Sequence, residues 1–185
     1  MATIRVTAGS LRGRRIPVPP SDVRPTSERA RQAFFNIVGQ RVEGANFLDL
    51  FAGSGIFSFE AVSRGAAAAT AIDRDRRYAE AIARRAREWN VPVTALAGDV
   101  VKSLQRLENV RFDVVYADPP YDFGEYGMLL EAMEQHLKFG PDPVVAIEHR
   151  RRGGPAGGGD ALRPLRRVEY GEVSITFFGP DNGTA

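Results

Sequence analysis

From Asn46 onward, short apolar runs alternate with amphipathic stretches, and this alternation restricts the fold more than any other feature of the chain. Strand candidates fall at Asn46 to Phe51, Ala68 to Asp73, Val93 to Ala97, Phe112 to Ala117 and Val144 to Glu148. Between them, apolar residues at helical spacing mark Ile56 to Arg64, Arg76 to Trp89, Val100 to Leu107 and about Tyr126 to Leu137. Strand and helix in strict alternation predict a parallel sheet covered on both faces. Two more strands, about Arg166 to Tyr170 and Val173 to Phe178, are joined through Gly171 with too few residues for a crossover, so they must pair antiparallel. The expected core is therefore α/β: a doubly wound, mostly parallel seven-stranded sheet with an antiparallel C-terminal hairpin. The stretch Arg150 to Asp160, an arginine triplet followed by a glycine-rich run, cannot pack a core and reads as a flexible loop.

Ahead of the core, Thr3 to Ala8 and Arg14 to Val18 around Gly9 and Gly13 predict a short hairpin that ends at Pro17, Pro19 and Pro20. A helix follows, entered at Pro25 and Thr26, with Ala30, Ala33, Phe34, Ile37 and Val38 on one face, Arg29 and Arg31 on the other, and Gly39 as exit. One domain spanning 1–185 is expected, with a hairpin-and-helix arm at 1–40 and a core at 41–185. The arm is where charge concentrates. Seven arginines precede residue 32 against Asp22 and Glu28, a local balance of +5 in a chain of net charge +2, so the rest is net acidic. Such asymmetry points to a polyanion-binding arm, with Arg12, Arg14, Arg15, Arg24, Arg29 and Arg31 as its phosphate contacts. Arginine outnumbers lysine 23 to 2, which a coding bias explains, but bias does not explain the clustering. With no cysteine there is neither a disulfide nor a thiolate metal site, and two distant histidines, His136 and His149, read as surface residues; no metal is expected. No apolar stretch approaches the roughly 20 residues of a membrane span, and the N-terminus lacks the apolar core of a secretory signal, so a cytoplasmic protein is expected.

In open parallel sheets ligands bind beyond the carboxyl ends of strands, where strand order reverses. The first core strand runs into Leu48-Asp49-Leu50-Phe51-Ala52-Gly53-Ser54-Gly55 and then directly into a helix. Gly53 and Gly55 permit a tight turn and close backbone approach, and the helix N-terminus offers free N–H groups. A dinucleotide fingerprint would put a third glycine at Ser58, and a phosphate loop would need an absent Gly-Lys pair, so the loop is nucleotide-like without pointing to NAD. Asp73 ends the second strand twenty residues after Gly53, where a carboxylate can accept from ribose hydroxyls, while Asp75 suits a helix N-cap. Asp99, after the third strand, suits either an adenine amine or a cap on the Val100 helix. The most specific signal is Asp118-Pro119-Pro120-Tyr121 after the fourth strand. Two prolines fix the backbone and remove two donors, so carbonyl oxygens and the Asp118 carboxylate form an acceptor trap for an NH2 group. A nucleobase amine is a poor nucleophile because its lone pair is delocalised, and hydrogen bonds accepted from its N–H groups stabilise the charge that develops as it attacks. Tyr121 can stack on a base taken out of its helix.

The Leu48–Gly55 loop and Asp118–Tyr121 occur together in many amino methyltransferases. Together with Gly9-Ser10-Leu11-Arg12-Gly13-Arg14, Arg24-Pro25-Thr26 followed by Arg29 and Arg31, Gly65 after Ser63-Arg64, and Tyr170-Gly171, they resemble the RsmD family of ribosomal RNA guanine-N2 methyltransferases over nearly the whole chain. The resemblance implies a Rossmann-like class I methyltransferase fold, S-adenosyl-L-methionine as cofactor and a small-subunit (16S) rRNA guanine as substrate, met within the small ribosomal subunit by a monomer. It further implies that Asp49, Gly53 and Gly55 hold the methionine end of the cofactor, with Phe51 and Ser54 as further contacts, Asp73 its ribose and Asp99 its adenine. Asp118 and Tyr121, with Pro119 and Pro120 shaping the corner, would hold the guanine. Asp73 stands where the family commonly has Glu, which keeps the carboxylate, and the long glycine-rich loop after Arg152 is a second departure. The nearest rival is a DNA adenine-N6 or cytosine-N4 amino methyltransferase, against which stands the lack of room for a separate base-reading domain. A dehydrogenase or nucleotide-binding module would leave Asp-Pro-Pro-Tyr unexplained, and an RNA-binding scaffold without catalysis is a third reading.

Overall fold

A computed structural model describes residues 2–18, 28–120, 122–157 and 161–180. Its centre is a seven-stranded sheet built on β3 (Asn46–Leu50), β4 (Ala68–Asp73), β5 (Val93–Ala97), β6 (Arg111–Ala117), β7 (Lys138–Arg150), β8 (Arg163–Tyr170) and β9 (Val173–Gly179), in the order β5-β4-β3-β6-β7-β9-β8. The first five positions are parallel and β9 runs antiparallel to both β7 and β8. A separate antiparallel pair, β1 (Ala2–Arg5) and β2 (Arg15–Val18), precedes it. The helices are α1 (Glu28–Val38), α2 (Ile56–Ser63), α3 (Arg76–Trp89), α4 (Val100–Leu104) and α5 (Tyr126–His136). None of the described helices is long and apolar enough to cross a membrane.

Strand alternation sorts the core into two layers. Phe47, Val114, Tyr116, Val144 and Ala146 face α1 and α2, whereas Leu48, Leu50, Val115, Ala117, Val145 and Ile147 face α4 and α5. Phe34 of α1 sits at the middle of the first layer, with Tyr116 at 4.8 Å and Phe57 at 5.6 Å between ring centroids, and Phe57 stacks on Tyr116 at 3.7 Å. The hairpin joins the same layer through Val6, Leu11 and Ile16. Its turn is pressed onto the end of α2: Ser10 N donates to Ser63 O, and Gly9, at φ +76°, lies so close that a Cβ would fall 1.6 Å from that carbonyl.

Several boundaries differ from the sequence expectation. β7 begins at Lys138, not Val144, because pairing with β6 resumes around an irregularity between Phe112 and Val114, so Gly140, Pro141 and Pro143, which read as breakers, lie inside the strand. β8 begins at Arg163, its Pro164 tolerated on an edge strand beside another register shift. α4 stops at Leu104 and tightens into a 3-10 turn over Gln105–Leu107. His149, expected at the surface, is buried: Nε2 lies 2.8 Å from Thr176 Oγ1, Nδ1 lies 2.7 Å from Arg150 O, and burial pushes its pKa down. His136 is partly covered and meets Glu108 at 3.0 Å. Pro19, Pro20 and the Pro25-Thr26 helix entry lie outside the described residues.

Candidate active site

Because β4 and β5 extend the sheet to one side of β3 while β6 and β7 extend it to the other, strand order reverses between β3 and β6. The crevice predicted for a ligand opens there, beyond Leu50 and Ala117. On the β3 side the backbone turns sharply: Phe51 has φ +60°, Gly53 +50° and Gly55 +75°. Phe51 has a Cβ and holds this conformation at a cost. At Gly55 a Cβ would lie 2.7 Å from Ile82 Cγ1. Two carboxylates fix the turn. Asp73 Oδ2 accepts from Gly53 N at 2.7 Å, and its Oδ1 accepts from Asp75 N at 2.8 Å. Asp49, 2% exposed, accepts with one oxygen from both Ser58 N (3.0 Å) and Ser58 Oγ (2.7 Å). Burial pushes the Asp49 pKa up to about 7 against the pull of those bonds, and it raises Asp73 as well. Ser58, which stands where a dinucleotide loop carries glycine, thus braces Asp49, a role its position in the sequence did not announce.

Asp99 is exposed, and its Oδ1 accepts from Lys102 N at 3.0 Å, so it caps α4. Asp75 caps α3 as expected, accepting from Arg77 N.

On the β6 side, Asp118 N donates to Leu50 O at 3.2 Å, which ties the proline corner to the end of β3. Asp118 is half-buried, Pro119 buried and Pro120 exposed, and Tyr121 lies outside the described residues. Phe123 N donates to Pro120 O at 2.8 Å, so that carbonyl closes a turn. Phe123, half-buried, contacts Phe51 edge-on at 5.4 Å and Tyr126 at 5.3 Å, linking the two sides of the crevice through aromatic rings. Beneath the corner, Tyr116 OH donates to Glu148 at 2.6 Å, both buried. Register pairs Ala117 with Ile147, so Glu148 lies alongside Asp118 on the next strand. Burial first, and then the Asp118 charge, push the Glu148 pKa up to about 8. Nothing in the local sequence marked this pair, since it forms across strands.

The arm arginines separate into three groups. Arg31 is a correction: it is completely buried, donating through Nη2 to Arg5 O at 2.8 Å and lying 3.6 Å from Glu60, so no phosphate reaches it. Arg12, Arg14 and Arg15 are exposed, but the turn carrying the first two lies at the far end of the sheet, with the Arg14 guanidinium 5.1 Å over Trp89, the last residue of α3. α3 runs back from the carboxyl end of β4 for 14 residues, roughly 20 Å at 1.5 Å per residue. Arg15, paired with Arg5, and Arg29, in the first turn of α1, are exposed, and Arg24 lies outside the described residues. Among the described residues no cluster of three or more metal-ligating side chains occurs.

The family model described as "Conserved hypothetical protein 95" matches residues 4–179. The chain is 30% identical over 146 residues to Ribosomal RNA small subunit methyltransferase D of Escherichia coli K12, covering 78% of this chain and 74% of that protein. The chain belongs to the RsmD family. Its Haemophilus influenzae member, of the same name, is 30% identical over 152 residues, 78% of each chain. Among solved structures, Escherichia coli yhhF superposes with a TM-score of 0.85 at 26% identity, covering 97% of this chain and 98% of that one. An RNA methyltransferase from Salinibacter ruber in complex with S-adenosyl-L-homocysteine has a TM-score of 0.61 at 16% identity over 86% and 95% of the two chains, which shows a shared fold. The architecture of this RsmD-family chain is thus a class I methyltransferase fold.

Proposed function

We propose that this RsmD-family protein transfers a methyl group from S-adenosyl-L-methionine to the exocyclic N2 of a guanine in small-subunit (16S) rRNA. The observation that carries the reading is the joining of a strained, carboxylate-braced loop (Phe51–Gly55) to an acceptor corner (Asp118-Pro119) across one backbone hydrogen bond, Asp118 N to Leu50 O. The names of its relatives supply the rRNA substrate.

The residues present fit the cofactor. A carboxylate has about four lone-pair sites, and Asp73 uses two on Gly53 N and Asp75 N, leaving capacity for ribose hydroxyls. Asp49, Phe51, Gly53, Ser54 and Gly55 would line the methionine end, and Asp99 the adenine, while it caps α4. When bound, S-adenosylmethionine supplies an electrophilic methyl on a sulfonium. Asp118 and the Pro119 carbonyl accept the two N–H groups of the guanine amine and orient its lone pair. The nitrogen so held would take that methyl as its C–S bond breaks with the electron pair to sulfur, and Asp118 would accept the surplus proton or pass it to water. Holding both partners in line is worth about 7–11 kcal/mol in well-oriented systems. Tyr121 stacks on the extruded base. Exposed arm arginines, Arg15 and Arg29 with Arg12 and Arg14 on the far turn, contact RNA phosphates, and the arm (1–40) and core (41–185) act as one cytoplasmic domain.

Incubation of purified protein with labelled S-adenosylmethionine and unmodified small-subunit rRNA, free and in assembled particles, should place one methyl on one guanine N2 by nucleoside mass spectrometry. Label on adenine or cytosine, or label on DNA only, refutes the assignment.

A further inference from the structure

Beside the proline corner the sheet does not stop where β6 stops. Ala117 pairs with Ile147, yet β7 continues to Arg150, three residues further, about 10 Å at 3.3 Å per residue. Arg150 pairs with Val173 and Tyr170 with Val173, so β8 and β9 rise to the same height. The outcome is a wall standing over one side of the crevice, and its crest is basic. Arg150, Arg151 and Arg152 at its top are exposed, as is Arg167, which lies level with Ile147 and reaches Arg151; Glu169 and Glu172 are the acidic residues of the hairpin beside them.

The first residues of the loop that follows, Arg151 to Gly154, are held in place. Arg151 N donates to Glu172 O at 2.9 Å, and Arg167 donates to Arg151 O and, at 3.2 Å, to Ser174 Oγ. Gly154 lies flat on His149, where a Cβ would come 2.3 Å from Nδ1. Glycine is thus required there by close approach of backbone to a buried imidazole, and this path turns the arginines outward. Arg151 and Arg167 share Glu169, at 2.9 and 3.8 Å, which leaves the crest net positive.

We infer that this crest, Arg150 to Arg152 with Arg167 bracing it, is the RNA-phosphate clamp nearest the reaction, gripping the backbone beside the extruded nucleotide. The inference rests on the rRNA reading above and specifies which surface bears the substrate. A base drawn out of its stack into the crevice brings its own phosphates to the rim, within reach of the crest; the Arg12 and Arg14 turn is roughly 20 Å away.

The test is the triple variant Arg150→Gln, Arg151→Gln, Arg152→Gln beside Arg12→Gln, Arg14→Gln, each in the full chain, with a short rRNA stem-loop spanning only the target. For the triple variant, KM for RNA should rise about tenfold or more with kcat within twofold. S-adenosylhomocysteine affinity should be unchanged, and the slope of log K against log salt should fall by about 0.7 to 0.9 per lost contact. The far-turn pair, whose contacts fall on RNA beyond this stem-loop, should raise KM by less than the triple variant does. An unchanged KM and salt slope in the triple variant overturns the clamp, as does weakening seen only with assembled subunits and not naked RNA, which would assign the crest to a protein. If the wild type binds the stem-loop but methylates nothing, the function reading fails while the slope comparison still decides the clamp. If it does not bind, both fail.

Discussion

Glu60 anchors the arm to the cofactor side of the core, and its removal should be among the most damaging single changes outside the crevice. It is completely buried in α2, the helix that opens at Gly55. Its carboxylate accepts from Thr7 N (2.8 Å), Thr7 Oγ1, Ala8 N (3.1 Å) and Arg64 Nε (2.9 Å), with Arg31 3.6 Å away. Arg31 is equally buried, and among the described residues its Nε and Nη1 have no hydrogen-bond partner, so Glu60 is the main compensation shown for its charge; burial already lowers its pKa despite Glu60. Glu60→Ala strands that charge and two backbone donors. Breaking a buried ion pair by deleting one partner costs about 3–5 kcal/mol, a large part of the roughly 5–15 kcal/mol that holds a domain together. At about 2–4 °C per kcal/mol for a chain of this size, Tm should fall by about 6–20 °C. Urea unfolding monitored through the single tryptophan, Trp89, gives the free energy directly. Glu60→Gln, which keeps shape and one acceptor oxygen, should fall between and remains measurable if the alanine variant does not fold. Adding Arg31→Met to the Glu60 change removes the stranded charge, so the double variant should be more stable than the sum of the single losses predicts. A loss below about 1 kcal/mol for Glu60→Ala, or strict additivity, would refute the reasoning.

Asp118→Ala should abolish methyl transfer while leaving S-adenosylhomocysteine affinity within a few-fold by calorimetry; a large loss of cofactor affinity would move Asp118 out of the acceptor corner. Asp73→Ala should instead weaken cofactor binding by tenfold or more, because it removes the ribose acceptor and frees Gly53 N, and unchanged affinity would end that assignment. Glu148 holds its proton to about pH 8 when folded, against an ordinary 4.5. The folded state therefore binds more protons between those values, and its stability falls as pH rises through that window. Glu148→Gln should flatten that decline, so urea midpoints of variant and wild type should be closest near pH 4.5 and diverge in favour of the variant toward pH 9; parallel curves would contradict it.

What the sequence made legible was whatever is encoded locally. The sheet followed from period and from the count of residues between strands, and the Asp118 corner from two prolines whose missing donors need no tertiary context. Arg31 misled because its helical phase says only that it lies off the Ala30–Phe34 stripe; its partner is Glu60, twenty-nine residues on, and a chain that supplies a buried carboxylate can bury a guanidinium. His149 misled for the same kind of reason, since its cover is Thr176 and a glycine-lined backbone. The Tyr116–Glu148 pair exists only through the β6–β7 register, and the Pro120 carbonyl closes a turn with Phe123 that composition does not announce.

The position of the arginines is the step where counting charge and placing charge diverge. Counting favours the first thirty-one residues, with their balance of +5. Placement divides that excess: one arginine is interior, two are beyond the far end of the sheet, and the register of β7 sets others over the crevice. Roughly 20 Å is several steps of a duplex, so on the proposed function the far turn would meet only RNA that continues well past the modified nucleotide. Phosphates next to that nucleotide can meet only residues at the rim. Local charge density therefore identifies a protein that holds polyanions, whereas strand register identifies which of its cations lie close enough to orient the base.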